Sequence, residues 1–298
     1  MSLLDTLSNL FGKSPVDLPA RFDIVRDAIQ GTMSKFHMAI DRKTKKTVGL
    51  KILDTETVEK FESRFKLLKK PSEGEIAMQI QHPRVVETFE FGRAKDGRQF
   101  IVMEYLEGSS LNIMIHNKDK ILRGKRHILI RQMAEALGAV HKAGFIHRDI
   151  CPRNFICAQG ADSVKLIDFG LTLPALPAFM QPGNRTGTPL YLAPEIVRRK
   201  TTDQKVDLFA FGVSCYQLCT FDFPWPGSDA TGRGALQHDS VEPAPILDVQ
   251  PKLNKSLGRM IMNCLEAEPS RRPANAEAIL WQIRNVTSDK EQGSSAAE

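Results

Sequence analysis

No apolar run in this 298-residue chain approaches the roughly 18–20 residues that a membrane span requires. The first residues also lack the basic-then-apolar pattern of a secretory leader, because Asp5 interrupts a short apolar stretch. Cysteine is sparse, with 5 residues at 151, 157, 215, 219 and 264, none in paired-thiol metal spacing. An odd, scattered set argues against a disulfide framework and predicts reduced thiols in a cytoplasmic protein. Aromatic residues make up only 7% of the chain and do not interleave the basic clusters at 42–46, 66–70, 123–126 and 198–200. The net charge of +6 therefore reads as a solvated basic surface, not as a nucleic-acid footprint. Neither an internal repeat nor a low-complexity segment interrupts the body.

What is present is enough apolar content, 42%, for a sizeable core in one or two lobes. Leu3, Leu4, Leu7, Leu10 and Phe11 fall on one face of a short amphipathic helix, expected to pack on the body because its polar face carries little positive charge. From 21 to 54 the pattern is strand, turn, strand, turn, strand, the last at 48–53. Residues 55–81 have helical composition, broken near Pro71-Ser72. Strand patterns return at 85–91 and 100–105, separated by a turn at Asp96-Gly97. After Gly108 the chain turns helical, at 121–143, 205–220, 256–266 and 274–286. From Ser288 onward it is polar and expected to be disordered.

The most informative stretch is His147-Arg148-Asp149-Ile150-Cys151-Pro152-Arg153-Asn154, followed by Asp168-Phe169-Gly170. An apolar hairpin, 155–157 and 164–167, separates the two, so one carboxylate, one amide and a second carboxylate fall on two short loops. Phosphoryl transfer needs that set: a carboxylate for a hydroxyl, and an amide with a carboxylate for magnesium. The ordered pair at this spacing resembles the catalytic and magnesium loops of the eukaryotic-like serine/threonine protein kinases, and the resemblance runs from Phe22 to Ile283. It implies an α+β, bilobal fold: a small antiparallel β-rich lobe with one helix, and a larger, mainly α-helical lobe. The implied kinase domain is 19–286, with an N-lobe at 19–105, a hinge at 104–108 and a C-lobe at 109–286. An extension, 1–18, precedes it and a disordered tail, 287–298, follows.

The same resemblance assigns roles. Lys51 is similar to the strand lysine that holds ATP phosphates, and Glu73 to the helix glutamate that orients it, with Glu75 the alternative two residues on. The three places of the glycine-rich loop read Ile29, Gly31 and Ser34, so only the phosphate-proximal Gly31 remains. Gly49 stands where alanine is usual, which is expected to enlarge the roof over adenine. Met103 corresponds to the gatekeeper, Glu104 and Leu106 to backbone contacts of adenine, and Ile156 to the apolar platform beneath it. Asp149 is the implied catalytic base, with Asn154 and Asp168 the Mg2+ ligands. His147 is expected to stack under Phe169. Arg148 either holds a phosphate on the activation segment or neutralises its neighbours. Cys151 replaces the usual lysine, leaving Arg153 as the candidate compensating cation and Cys151 itself as either a redox thiol or an inert one.

Residues 187–195, Gly-Thr-Pro-Leu-Tyr-Leu-Ala-Pro-Glu, resemble the end of a protein-kinase activation segment, an element that small-molecule kinases of the fold lack. Thr188 there implies serine/threonine specificity. Glu195 is expected to pair with Arg272, and Asp207 to support the catalytic loop. Thr172 and Thr186 are candidate phosphosites, and activity without phosphorylation is the alternative. Arg153 disfavours strongly basic substrates. The combined expectation is ATP- and Mg2+-dependent transfer to protein Ser/Thr hydroxyls, autophosphorylation included, with no nucleic-acid partner and the oligomeric state open. Its rival is a pseudokinase scaffold, suggested by the depleted glycine loop, by Cys151, and by small Ala77 and Thr88, whose weak packing would leave Lys51 unpaired.

Overall fold

The computed structural model describes residues 14–290, apart from 32, 226–233 and 239. The chain divides into two compact units, one comprising residues up to Gln81 with Val86–Leu106, the other His82–Val85 with residues from Glu107 onward. The expected helix over 3–11 and the end of the polar tail, 291–298, lie outside the described residues.

The first unit is an antiparallel sheet with strands on a period of two. A short helix, α1 (Leu18–Arg21), leads into β1 (Phe22–Gln30), β2 (Ser34–Asp41) and β3 (Lys46–Leu53), then β4 (Thr88–Arg93) and β5 (Gln99–Glu104), in the order β1-β2-β3-β5-β4. Alternation sends Val48 and Leu50 into a core with Leu18, Phe22, Ala39, Phe100 and Val102. Gly49 and Lys51 therefore project from the opposite face. Between β3 and β4 run α2 (Thr55–Glu62), capped by Asp54, and α3 (Glu73–Gln79), capped by Ser72. The break expected at Pro71-Ser72 begins earlier, as a 3-10 turn over Ser63–Leu68 ended by Lys69 at φ 47°. Gly74 lets α3 lie against β4, since a Cβ there would fall 2.5 Å from the Phe91 ring. β4 starts at Thr88 and not at 85, because the Val85 amide donates to the His82 carbonyl and Val85 bridges Leu166 within the second unit.

The second unit is mainly helical. β6 (Gly108–Ser110) pairs with β8 (Phe155–Ala158), which pairs with β9 (Val164–Leu166); β7 (Phe145–Ile146) pairs with β10 (Leu173–Pro174). Around these lie α4 (Leu111–His116), α5 (Arg126–Lys142), α6 (Pro194–Val197), α7 (Lys205–Thr220), α8 (Ile246–Val249), α9 (Lys255–Cys264) and α10 (Ala276–Gln282). α7 is buried from Val206 to Cys219, on every side of the helix, and is mostly apolar there. The helix expected from 121 begins only at Arg126, because Gly124 adopts φ 80° after a 3-10 turn at Lys120–Leu122. The disorder expected from 287 fails at 288–290. Asp289 is buried, its carboxylate accepts the Gly124 N–H at 3.0 Å and its carbonyl accepts the Asn254 N–H at 3.0 Å. No helix among the described residues is long and apolar enough to cross a membrane.

Candidate functional site

In the first unit, β3 carries Lys51 and α3 carries Glu73, both buried, with Lys51 Nζ 2.5 Å from Glu73 Oε1. Glu75 is committed elsewhere: its Oε2 accepts from the Ser72 N–H at 2.7 Å, completing a capping box. Of the two candidate carboxylates, the structure brings Glu73 to the lysine. The weak seating anticipated from Ala77 and Thr88 does not open the pair, because Phe91 packs across Gly74 and holds α3 down. Gly31 sits in the β1–β2 turn, where its N–H donates to the Ser34 carbonyl at 2.8 Å.

The enlarged roof expected at Gly49 is not there. A Cβ on Gly49 would fall 2.8 Å from Phe36 Cε2 and Cζ and 3.1 Å from Met103 Cγ, so the space is already filled by an aromatic ring and the buried Met103. Sequence reading missed Phe36. The available signal was a bulky residue opposite a glycine strand, visible only once register places Phe36 opposite Lys51. Glu104, at the end of β5, donates its N–H to the Glu87 carbonyl at 2.9 Å, and Leu106 is half-buried at the last position of the first unit. Ile156, half-buried in β8 of the second unit, lies opposite Ser110 and Lys165.

The second unit gathers the loop residues. Asp207, buried in the first turn of α7, accepts N–H groups from His147 at 2.7 Å and Arg148 at 2.8 Å, and lies 2.9 Å from His141 Nε2. Burial raises the Asp207 carboxyl, but the His141 contact and these donors outweigh it and hold it below the usual carboxylate range. The anchored loop presents Asp149. Asn154 Nδ2 donates to the Asp149 carbonyl at 2.8 Å and to Oδ2 at 2.9 Å, while Thr188 donates to Oδ1 through its N–H at 3.0 Å and its hydroxyl at 2.6 Å. Arg153, exposed, reaches both partners with one nitrogen, 3.4 Å from Asp149 Oδ2 and 3.3 Å from Thr188 Oγ1.

Cys151 points inward instead. It is buried, 3.9 Å from Thr188 Oγ1, and burial next to the Asp149 charge pushes its thiol up to about 12. That environment removes the redox reading. His147 is buried, burial pushes its imidazole down, and its Nδ1 accepts the Asp149 N–H at 3.3 Å. The ring so held meets Phe169 edge-on, with centroids 5.5 Å apart at 62°, in place of the expected stack.

Asp168 occupies the left-handed region at φ 69°, tolerated by Asp, and its Oδ1 accepts the Gly170 N–H at 3.1 Å. Among the described residues no group of three or more His, Cys, Asp or Glu side chains is arranged as a metal cage. The donors available, one amide oxygen of Asn154 and the Asp168 carboxylate, suit a hard cation that takes its other ligands from water and phosphate.

Arg148, buried at φ 67°, donates to the Asn184 carbonyl at 2.8 Å. Thr186 donates its N–H to Asn184 Oδ1 at 3.3 Å. Thr172 is fully buried, with its hydroxyl 3.4 Å from the His147 carbonyl, so it is no accessible phosphosite. Glu195 and Arg272 form a bidentate pair at 2.7 and 2.8 Å.

A protein-kinase-domain family model matches residues 25–282, and the chain belongs to that family. Its relatives carry more specific names. It is 32% identical over 283 residues to the serine/threonine-protein kinase pkn3 of Myxococcus xanthus, covering 90% of this chain and 50% of that protein. Identity is 30% over 270 residues to a probable serine/threonine-protein kinase of Clostridium acetobutylicum, covering 90% and 40%. It is 28% over 285 residues to the serine/threonine-protein kinase PknB of Mycolicibacterium smegmatis, covering 92% and 44%. The chain thus spans half or less of the length of these relatives. The family uses ATP, typically with a divalent metal, and acts on proteins.

Proposed function

We propose that this chain is a serine/threonine protein kinase, with 19–286 as the catalytic domain, that transfers the γ-phosphate of ATP to protein Ser/Thr hydroxyls. The observation that carries the reading is the Asp149 carboxylate, gripped by Asn154 on one oxygen and hydrogen-bonded by a threonine hydroxyl at 2.6 Å on the other. A carboxylate that accepts a threonine hydroxyl within the protein can accept one from a substrate. In this reading Asp149 orients the substrate hydroxyl and takes its proton. Lys51, aligned by Glu73, binds ATP phosphates, and Gly31 keeps the β1–β2 turn free of a side chain. Met103, Glu104 and Leu106 in the first unit are the residues assigned to the adenine, and Ile156 in the second is assigned as its apolar platform. Asn154 and Asp168 would hold Mg2+, which supplies charge neutralisation on the phosphates. Thr188 orders Asp149 and sets hydroxyl specificity, and Arg153 supplies the cation that Cys151 does not. The closed Lys51–Glu73 pair weighs against the scaffold alternative. Transfer to a second copy of the chain and a cytoplasmic location, in keeping with five free thiols, belong to the same proposal.

The test is incorporation from labelled ATP and Mg2+ into a generic Ser/Thr substrate, beside Asp149→Asn, with light scattering for the oligomeric state. Label in the wild type that the variant loses supports the reading. Nucleotide binding with no label in either protein overturns it.

A further inference from the structure

His238 is buried in an aromatic cluster of the second unit. Its ring stacks on Trp225, with centroids 4.0 Å apart at 23°, and tilts against Phe209 at 5.5 Å. Phenylalanine would fill such a place with no polar atom left to satisfy. The imidazole instead keeps Nε2 buried and without a hydrogen-bond partner among the described residues, which costs stability. What it gains is one bond, between Nδ1 and the Leu192 carbonyl at 2.8 Å. A carbonyl only accepts, so Nδ1 carries the proton. Trp225 is anchored in turn: buried itself, it donates its indole N–H to the Val241 carbonyl at 2.9 Å.

Leu192 leads from this cluster to the candidate site. Its Cδ2 stands 2.8 Å from where a Cβ on Gly187 would be, and the Arg148 carbonyl is equally close to that point. Gly187, at φ 137°, is thus pressed between the Leu192 side chain and the loop that bears Asp149. Next comes Thr188, whose N–H and hydroxyl both bind Asp149 Oδ1. The Leu192 N–H donates to the Pro189 carbonyl at 3.1 Å, which ties this end of the segment into one turn. We propose that His238 is a positioning residue for the phosphoacceptor: by holding the Leu192 carbonyl, it sets residues 187–192 against Asp149. This rests on the kinase reading above and deepens it. The protein-substrate half of the reaction depends on His238; the ATP half, carried by Lys51 and Glu73, does not.

The experiment separates the bond from the ring. His238→Phe keeps the aromatic packing and loses the donor; His238→Asn loses the ring and keeps a donor on the same branch of the side chain. Both are compared with wild type for melting temperature, for hydrogen exchange of the 187–192 peptide, and for steady-state transfer from ATP and Mg2+ to a Ser/Thr peptide. His238→Phe is expected to lower kcat/KM for the peptide roughly five- to tenfold, the scale of one hydrogen bond, with the KM for ATP unchanged. Exchange at 187–192 should quicken with it. His238→Asn is expected to recover most of both losses while melting lower than His238→Phe, because activity follows the bond and stability follows the ring. Activity that tracks melting temperature instead, with His238→Asn the worse of the two, would mark His238 as structural and overturn the inference. So would a His238→Phe protein equal to wild type in peptide kinetics and exchange. Both of those results leave the kinase reading standing, whereas a wild type that transfers no label removes that reading and the inference together.

Discussion

Replacing Glu195 by alanine should cost more than any exposed ion pair could, and the structure says how much. The Arg272 side chain is 0% exposed and that of Glu195 5%. All the guanidinium nitrogens are committed. NH1 and NH2 bind the carboxylate at 2.7 and 2.8 Å; Nε, NH1 and NH2 also donate to the carbonyls of Glu266, Lys205 and Ala267 at 2.8, 3.0 and 3.0 Å. The cation further lies 4.9 Å from the centroid of Phe209. Removing the carboxylate leaves three neutral acceptors and no anion around a buried charge, a loss of about 3–5 kcal/mol. For a unit of this size each kcal/mol lowers Tm by roughly 2–4 °C, so the smaller figure predicts a fall of about 6–12 °C. Differential scanning calorimetry at pH 7 reads it directly. Glu195→Gln, which keeps the shape and one acceptor, should fall between wild type and Glu195→Ala. The double change Glu195→Leu with Arg272→Met should recover part of the loss, because the stranded charge goes with its partner. A Glu195→Ala protein melting within about 2 °C of wild type would refute the argument that this pair is desolvated.

His238 makes a pH prediction. Burial pushes its imidazole down to about 4, although its Nδ1–H donates to the Leu192 carbonyl at 2.8 Å, and it stacks on Trp225 with centroids 4.0 Å apart. The unfolded chain then binds the extra proton first, so its share of stability is complete above about pH 6.5 and is lost as pH falls toward 4, on the order of 3 kcal/mol. Urea titrations across that range should show a shallower decline for His238→Phe than for wild type; parallel curves would exclude this site as the cause. At Cys151, a thiol pushed up to about 12 should resist iodoacetamide at pH 8 in the native protein and react only after unfolding, as mass spectrometry of the 151 peptide can establish. Arg153→Ala should lower turnover about tenfold or more, with the KM for ATP little changed; steady-state kinetics that leave kcat untouched would strip Arg153 of its role.

Much of the fold was legible because its signals are local. The 16 residues of α7 are mostly apolar, and the expected span 205–220 matches Lys205–Thr220. The three leading strands follow their alternation and turns. Boundaries slipped where the deciding interaction comes from far away in sequence. α5 starts late because Gly124 takes a left-handed conformation and gives its N–H to Asp289, 165 residues on. The same bond orders residues near 288, whose polar composition argues for disorder. Within the candidate site, motif order brought Asp149, Asn154 and Thr188 to notice, and the structure joins them. Phe36 stayed hidden because its significance depends on register and on what Gly49 lacks, and neither is written in the residues on either side of it. The edge-on geometry of His147 was hidden for a related reason, since the Asp149 N–H that turns the ring belongs to the backbone.

Asp207 has a consequence for tolerance to error. One carboxylate, 1% exposed, receives consecutive N–H groups of His147 and Arg148 while touching His141 at the end of α5. The peptide just before Asp149 is therefore surveyed from a single fixed point at the head of α7, with no intermediate joint. A displacement of that helix head therefore acts directly on the backbone that carries Asp149. Substitutions that shift the packing of α7, even on its far side, should accordingly be felt as misplacement of a carboxylate before they are felt as loss of fold.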